Sequence, residues 1–295
     1  MLLKQLESFK SVIEKGSISA AAAHIGISQP AVSKHISGLE AELGVYLFKR
    51  GHKCSQLTPE GEIVYEHARR ILRSTSDIYR EIADTSNQLS GVIKISASSI
   101  PGDFVLPDLL IGFSEVYPGL HIEVNISDSK TALERLVSHD VDFAIIGEEK
   151  HPPGFKVSSF FDDEIVLVVK PDHLLASKKT VDPEEICKLS FVGRTEGSGT
   201  RKVIENYFHE QKLGLGQYKL SFGHVAAVLN AVESGAEAGL VSKRALTKIS
   251  TLKQVPLNPP IKRHFYLIHG TILSNAMGTV LEYLIQKSQK ELDKI

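Results

Sequence analysis

The chain is poor in the residues that announce a redox, metal or membrane role. Its 295 residues include two cysteines, two methionines and no tryptophan. The cysteines, Cys54 and Cys187, stand far apart and in no paired motif. That excludes a disulfide framework and a cysteine-rich zinc site, and leaves two free thiols. No stretch approaches the roughly 18 apolar residues of a membrane span. The amino terminus, MLLKQLESFKSVIEK, is charged and amphipathic, without the apolar core or cleavage site of a secretory signal. A soluble cytoplasmic protein with no membrane partner is expected. Charge of one sign is also lacking, since the formal net charge is −1. The total therefore does not announce nucleic-acid binding, and local placement has to be read instead.

What is present begins with residues 19–43, SAAAAHIGISQPAVSKHISGLEAEL. Apolar residues at Leu3, Leu6, Phe9, Val12 and Ile13 mark a first helix, stopped at Gly16. Ser17 or Ser19 can cap a short helix over Ala20–Ile25, and Gly26 supplies a tight turn. Ser28 caps the next helix, with Pro30 in its first turn and Gly44 at its end. Val32, Ile36, Leu39 and Leu43 are expected on its buried face, with Gln29, Ser33, Lys34 and Ser37 on the other. This is the outline of a helix-turn-helix, which places a helix in the DNA major groove. Gln29 can bond an adenine edge, Ser28, Ser33 and Ser37 a base or phosphate, and Pro30 a thymine methyl. The segment LFKRGHKCSQLTPEG (47–61) reads as a hairpin wing around Gly51. Its Lys49, Arg50 and Lys53 are phosphate contacts, which position without specifying.

Thr58 and Pro59 then open a long helix, expected to reach Leu89, roughly 30 residues or about 45 Å. Val64, Ile71 and Ile78 repeat at one heptad position, and Ala68, Thr75, Ile82 and Leu89 at the other. That spacing suits pairing of two copies, with Val64, Ile71, Ile78 and Ile82 as the contact residues.

After Ser90–Gly91 the period changes. Strand-like segments at 92–98, 121–127, 142–147 and 164–170 alternate with helical ones at about 104–116 and 130–138. A second set follows: strands at 189–193, 218–223 and 239–242, helices at 199–212 and 225–234, a strand at 262–270 and a helix over about 274–293. This is an α/β pattern with two lobes and a cleft between them, where ligands sit beyond strand carboxyl ends. Three segments point into such a cleft: Ser98 and Ser99; Ser129 and Thr131; and Thr195, Ser198, Thr200 and Arg201 in the loop GRTEGSGTR (193–201). The last joins a strand to a helix amino terminus, which favours an anion. It is neither a Walker A loop nor a nucleophile elbow, because no Gly-Lys-Ser/Thr follows and Glu196 stands where the elbow needs glycine.

SISAAAAHIGISQPAVSKHISGLEAELGVYLFKR followed by LTPEG resembles the amino-terminal domain of LysR-type transcriptional regulators. The order of parts over the whole chain is similar too. The resemblance implies a winged helix-turn-helix domain (1–58), a linker and dimerisation helix (59–90) and an effector-binding domain like periplasmic solute-binding proteins (91–295). Lobe I would take about 91–165 and 266–295, and lobe II about 166–265. It further implies promoter DNA and RNA polymerase as partners, a homodimer or homotetramer, and a small-molecule effector in place of any cofactor or metal. The Gly-Ser-Gly-Thr-Arg segment resembles a subgroup linked to sulfur or carbon assimilation, so an inorganic oxyanion or an anionic metabolite is expected. Two features depart from the family's pattern: Lys34 stands where Arg is frequent, and Cys54, Ser55 and Gln56 follow Lys53 in a wing that is often richer in arginine. The rival readings are an α/β enzyme, resting on scattered histidines such as His139, His224 and His264, and a stand-alone solute receptor. No HExxH, CxxC or GxSxG motif supports the enzyme, and neither rival accounts for residues 1–89.

Overall fold

The computed structural model describes residues 3–49, 56–84, 89–215, 218–246 and 251–292, and divides into two compact units. The amino-terminal unit holds four helices: α1 (Leu3–Lys15), α2 (Ile18–Ile25), α3 (Gln29–Leu43) and α4 (Pro59–Asp84). Gly16, Gly26 and Gly44 each adopt φ near +70°, the left-handed conformation that ends a helix at no steric cost. Ser17 caps α2, its Oγ accepting from the Ala20 N–H at 3.1 Å. Two apolar clusters hold the unit: Leu6, Phe9, Leu39, Leu47 and Ala68, and Val12, Ala21, Ala22, Val32 and Ile36.

The LTPEG segment fixes how α4 begins. Thr58 Oγ1 donates to the Tyr46 carbonyl at 2.7 Å and accepts from the Gly61 N–H at 3.0 Å. A Cβ on Gly61 would lie 2.2 Å from the Leu47 carbonyl oxygen, so this turn of α4 meets backbone and tolerates only hydrogen there. Two expectations need correction in this unit. Leu43 is exposed, because it lies in the last turn of α3 and neither apolar cluster closes over it. Leu89 is not helical, and it packs against the core of the second unit.

The second unit contains β1 (Gly91–Ser98), α5 (Ser99–Phe104), α6 (Leu106–Val116), β2 (Leu120–Ser127), α7 (Ser129–Val137), β3 (Phe143–Ile146) and β4 (Phe155–Val169). It continues with α8 (Pro183–Ile186), β5 (Phe191–Arg194), α9 (Gly199–Glu210), β6 (Tyr218–Phe222), α10 (Val225–Glu233), β7 (Ala238–Ser242), β8 (Lys253–Gly270) and α11 (Asn275–Leu292). Among the described residues the strands form one sheet in the order β2-β1-β3-β8-β4-β7-β5-β6. The β1–β2, β1–β3, β5–β6 and β5–β7 pairs are parallel, as helical crossovers require. The long strands β4 and β8 run antiparallel from Phe155↔Gly270 to Val169↔Lys253 and so belong to both lobes.

Both faces of the sheet are buried. Val166 and Val168 of β4 face a cluster that includes Ile93, Ile95, Phe113, Val228 and Val232. Alternate residues Ile165, Leu167 and Val169 face another with Ile204 and Phe208 of α9. β4 and β8 begin well before the 164 and 262 that the sequence pattern predicts. Serines and paired aspartates hide the first half of β4, and Pro256, Pro259 and Pro260 hide that of β8. The helix expected at about 104–116 is α6, and a short additional helix, α5, precedes it and meets it at Val105.

The contact at Gly61 makes a prediction. Gly61→Ala forces α4 away from the Leu47 carbonyl and costs the amino-terminal unit about 1–3 kcal/mol. Urea unfolding followed by circular dichroism measures this, and an unshifted midpoint contradicts the packing described.

Candidate functional site

The first candidate surface is α3. Ser28 caps it, its Oγ accepting from the Ala31 N–H at 3.4 Å. Gln29, Ser33 and Ser37, four residues apart, form one exposed line, flanked by exposed Pro30 and Lys34. Ser37 Oγ donates to the Lys34 carbonyl at 3.3 Å. The opposite face carries buried Val32, Ile36 and Leu39. Two contacts fix α3 against α1: His35 Nδ1 lies 2.7 Å from Ser8 Oγ, and a Cβ on Gly38 would come 2.8 Å from Gln5 Nε2. The polar line therefore stands on a rigid base.

The base of the wing is present as a bridge between Phe48 and Leu57, with the Lys49 N–H donating to the Gln56 carbonyl at 2.9 Å. Lys49 is exposed there. Arg50 and Lys53 lie outside the described residues, as do Cys54 and Ser55. On α4, Val64 and Ala68 pack into the unit's own core, while Ile71 (38% exposed) and Ile78 (54%) face outward with Ile63. The Ile82 side chain is outside the described residues.

The second candidate is a cavity of about 370 Å³ between the lobes of the second unit. Lobe I lines it with Ser98, Ser99, Asp128 and Ser129, and lobe II with Arg194, Thr195, Ser198 and Thr200. The amino termini of α7 and α9 open onto it at Ser129 and Gly199, and His224, the cap of α10, stands beside them. Converging helix amino termini make a cavity favourable to negative charge. Gly197, at φ +84°, makes the turn that brings the chain into α9.

Two arginines form the cationic part of the wall, which also carries the carboxylates of Asp128 and Glu196. Arg194 Nη1 donates to Ser99 Oγ at 3.2 Å and Nη2 to the Gly223 carbonyl at 2.8 Å. Both partners are neutral, and its Nε is buried with no partner among the described residues. Burial pulls the Arg194 guanidinium below its ordinary pKa and the charge of Arg263 pulls the same way, outweighing the nearby Asp103 carboxylate. Arg263 is compensated: Nε and Nη2 lie 2.8 and 2.7 Å from Asp163 Oδ2, and Nη1 donates to Thr200 Oγ1 at 3.0 Å. Ser98 Oγ, also lining the cavity, is another buried polar atom with no hydrogen-bond partner among the described residues.

Of the residues expected in the cleft, Ser98, Ser99, Ser129, Thr195, Ser198 and Thr200 line one cavity. Thr131 and Arg201 do not line it. The Thr131 N–H and hydroxyl both donate to Asp128, each at 2.8 Å. These bonds outweigh the effect of burial and hold the Asp128 carboxyl below its usual pKa. Arg201 turns outward onto Glu205 (2.6 Å) and the Tyr218 ring (4.9 Å) and borders an adjacent cavity. The cations on the wall, Arg194 and Arg263, were not singled out from sequence. A signal for Arg263 was available: in I-K-R-H-F it alternates in phase with Ile261 and Phe265, which puts a charge on a buried strand face.

Known proteins agree with this architecture. Residues 3–62 match the bacterial regulatory helix-turn-helix model of the lysR family, and residues 86–289 match the LysR substrate binding domain. A probable RuBisCO transcriptional regulator of Cyanidioschyzon merolae is 30% identical over 90% of this chain and 91% of its own length. The RuBisCO operon transcriptional regulator of Allochromatium vinosum is 28% identical over 98% and 97%. Among solved structures, full-length OxyR of Pseudomonas aeruginosa superposes with TM-score 0.79 at 22% identity, covering 98% of this chain and 95% of that one. The regulatory domain of Synechocystis CcmR, in complex with 2-PG, superposes with TM-score 0.63 at 24% identity, covering 68% and 98%. No described helix is long and apolar enough to cross a membrane. A capped, exposed recognition helix ahead of a two-lobed α/β domain, both matched by their family models, makes this chain a member of the LysR family of transcriptional regulators.

Proposed function

We propose that this regulator reads promoter DNA through α3 and is controlled by a small anionic metabolite held between its lobes. The observation that carries the effector reading is that two buried polar atoms lining one cavity from opposite lobes, Arg194 Nε and Ser98 Oγ, have no hydrogen-bond partner among the described residues. Buried polar groups without partners are costly, and a cation among neutral partners is costlier still. An anion seated between Arg194, Ser98, Ser99 and the amino terminus of α9 would satisfy both. Ser129, Ser198 and Thr200 would supply further donors, and about 370 Å³ suits a compact metabolite. The names of the RuBisCO regulators and the 2-PG of CcmR support a phosphorylated carboxylate such as 2-phosphoglycolate as the first ligand to try.

On the DNA side, Gln29, Ser33 and Lys34 read base edges, Ser28 and Ser37 reach a base or a phosphate, and the wing cations Lys49, Arg50 and Lys53 bind phosphates, with Pro30 against a thymine methyl. The exposed Ile71 and Ile78 of α4 pair two copies, and the assembly works with RNA polymerase in the cytoplasm as a regulator and not as an enzyme. We assign 1–58 to the reader, 59–90 to the linker helix and 91–295 to the effector domain. Ligand binding shifts the equilibrium between lobe arrangements by its differential affinity for them, and the reader's affinity for DNA shifts with it.

Two predictions test this reading. Gln29→Ala lowers the ratio of cognate to scrambled DNA affinity by on the order of 10-fold, whereas Lys49→Ala weakens both alike and reduces the salt slope by about 1. Gel retardation at several salt concentrations separates the two, and an unchanged ratio for Gln29→Ala contradicts base reading by this residue. Arg194→Gln weakens 2-phosphoglycolate binding, measured by calorimetry, by on the order of 10-fold or more. Undiminished binding by that variant contradicts the anion site.

A further inference from the structure

Thr200 Oγ1 has one hydrogen-bond partner among the described residues, the Arg263 Nη1 at 3.0 Å. A guanidinium only donates, so Thr200 must accept, and its own hydroxyl proton is left over. Thr200 is the second residue of α9, so no helical turn lies behind it to take that proton. Thr200 is 5% exposed and borders the cavity, so the cavity is where that proton can find an acceptor. Arg263 is itself held from behind. It pairs directly across the strands with Asp163 on β4, whose Oδ1 accepts from Ser242 Oγ on β7 at 2.7 Å. The Asp163 side chain has no exposed surface, and Asp163 does not line the ligand cavity.

We propose that Arg263 is a positioning residue: locked by Asp163, it forces the Thr200 hydroxyl to act as a hydrogen-bond donor toward the ligand. This rests on the anionic-effector reading. The chain of bonds Ser242–Asp163–Arg263–Thr200 sets the polarity of one side chain at the amino terminus of α9. The cavity then offers a ready donor there, with no cost in reorienting a hydroxyl that could otherwise point either way. The ligand class that benefits is one with only acceptors at this end, a carboxylate or an oxyanion. Arg194 bears on Ser99 in the same way from the other side, so one oriented hydroxyl comes from each lobe.

The test is a mutant cycle on the full-length protein, with 2-phosphoglycolate and inorganic phosphate as probes, calorimetry as readout and circular dichroism as a check of fold. Removing Arg263 alone would strand Asp163, so the pair is replaced together as Asp163→Leu with Arg263→Met. In the wild-type background Thr200→Val weakens binding on the order of 10-fold, while Thr200→Ser stays within about 2-fold. In the background without the pair, Thr200→Val costs less than about 3-fold, because the hydroxyl is no longer held as a donor. Equal losses from Thr200→Val in both backgrounds overturn the inference, since a merely structural role for the pair leaves the two effects independent. A loss for Thr200→Ser as large as for Thr200→Val overturns it as well. Wild-type protein that binds neither probe overturns the anion reading and this inference with it.

Discussion

The antiparallel pairing of β4 with β8 is the constraint on which the rest of the second unit depends. Each strand starts in one lobe and ends in the other, so the lobes share a sheet and the cleft lies where the strands cross over. The register slips between Ser159 and Phe161 and again between Ile165 and Val166, which brackets the crossing segment. Inside that bracket Asp163 faces Arg263, an ion pair with 6% exposure at each residue. A buried pair is weak evidence for stability but strong evidence for a fixed geometry, because breaking it strands a charge. Here the fixed geometry delivers a guanidinium to the amino terminus of α9, on the wall of the cavity.

The reader depends on a different kind of constraint, close backbone approach. Gly61 is a glycine because α4 meets the Leu47 carbonyl at a distance a Cβ would not allow, while at Gly38 a Cβ would displace only the end of the Gln5 side chain. These contacts, with the Thr58 cap, hold α3 so that its polar line is presented as one rigid face. A reader of this kind needs little net charge. In the proposed reading its phosphate contacts are local, so the chain can stay near neutrality at −1 overall.

Much of this was legible in the sequence, and the parts that were not share a physical reason. Helix ends at Gly16, Gly26 and Gly44 and the caps at Ser17 and Ser28 are local chemistry, and local chemistry reads well. The alternating pattern around 164–170 reads well because both faces of β4 are buried there. The serines and prolines in the outer halves of β4 and β8 mask strands that exist because a partner strand pairs with them, which is a tertiary effect. The cleft loops at Ser98, Ser129 and Ser198 were found because they follow strands, yet Arg201 was singled out where Arg194 and Arg263 line the wall. Which arginine turns inward depends on Glu205 one helical turn along and on Asp163 across the sheet, and only the second of these is invisible to periodicity. Leu89 shows the same limit, since a heptad position continued past the end of α4 into a residue that packs on another core.

The central claim is that a compact anion sits between the lobes against Ser99, Arg194 and Thr200. A crystal structure of the full-length protein grown with 2-phosphoglycolate tests it most directly. The expected result is ligand density in that cavity, with oxygen atoms within hydrogen-bond distance of the Arg194 Nε and the Ser98 and Thr200 hydroxyls. Density instead in the charged cavity bordered by Asp162, Lys243 and Lys262, or an empty cleft at saturating ligand, would contradict it.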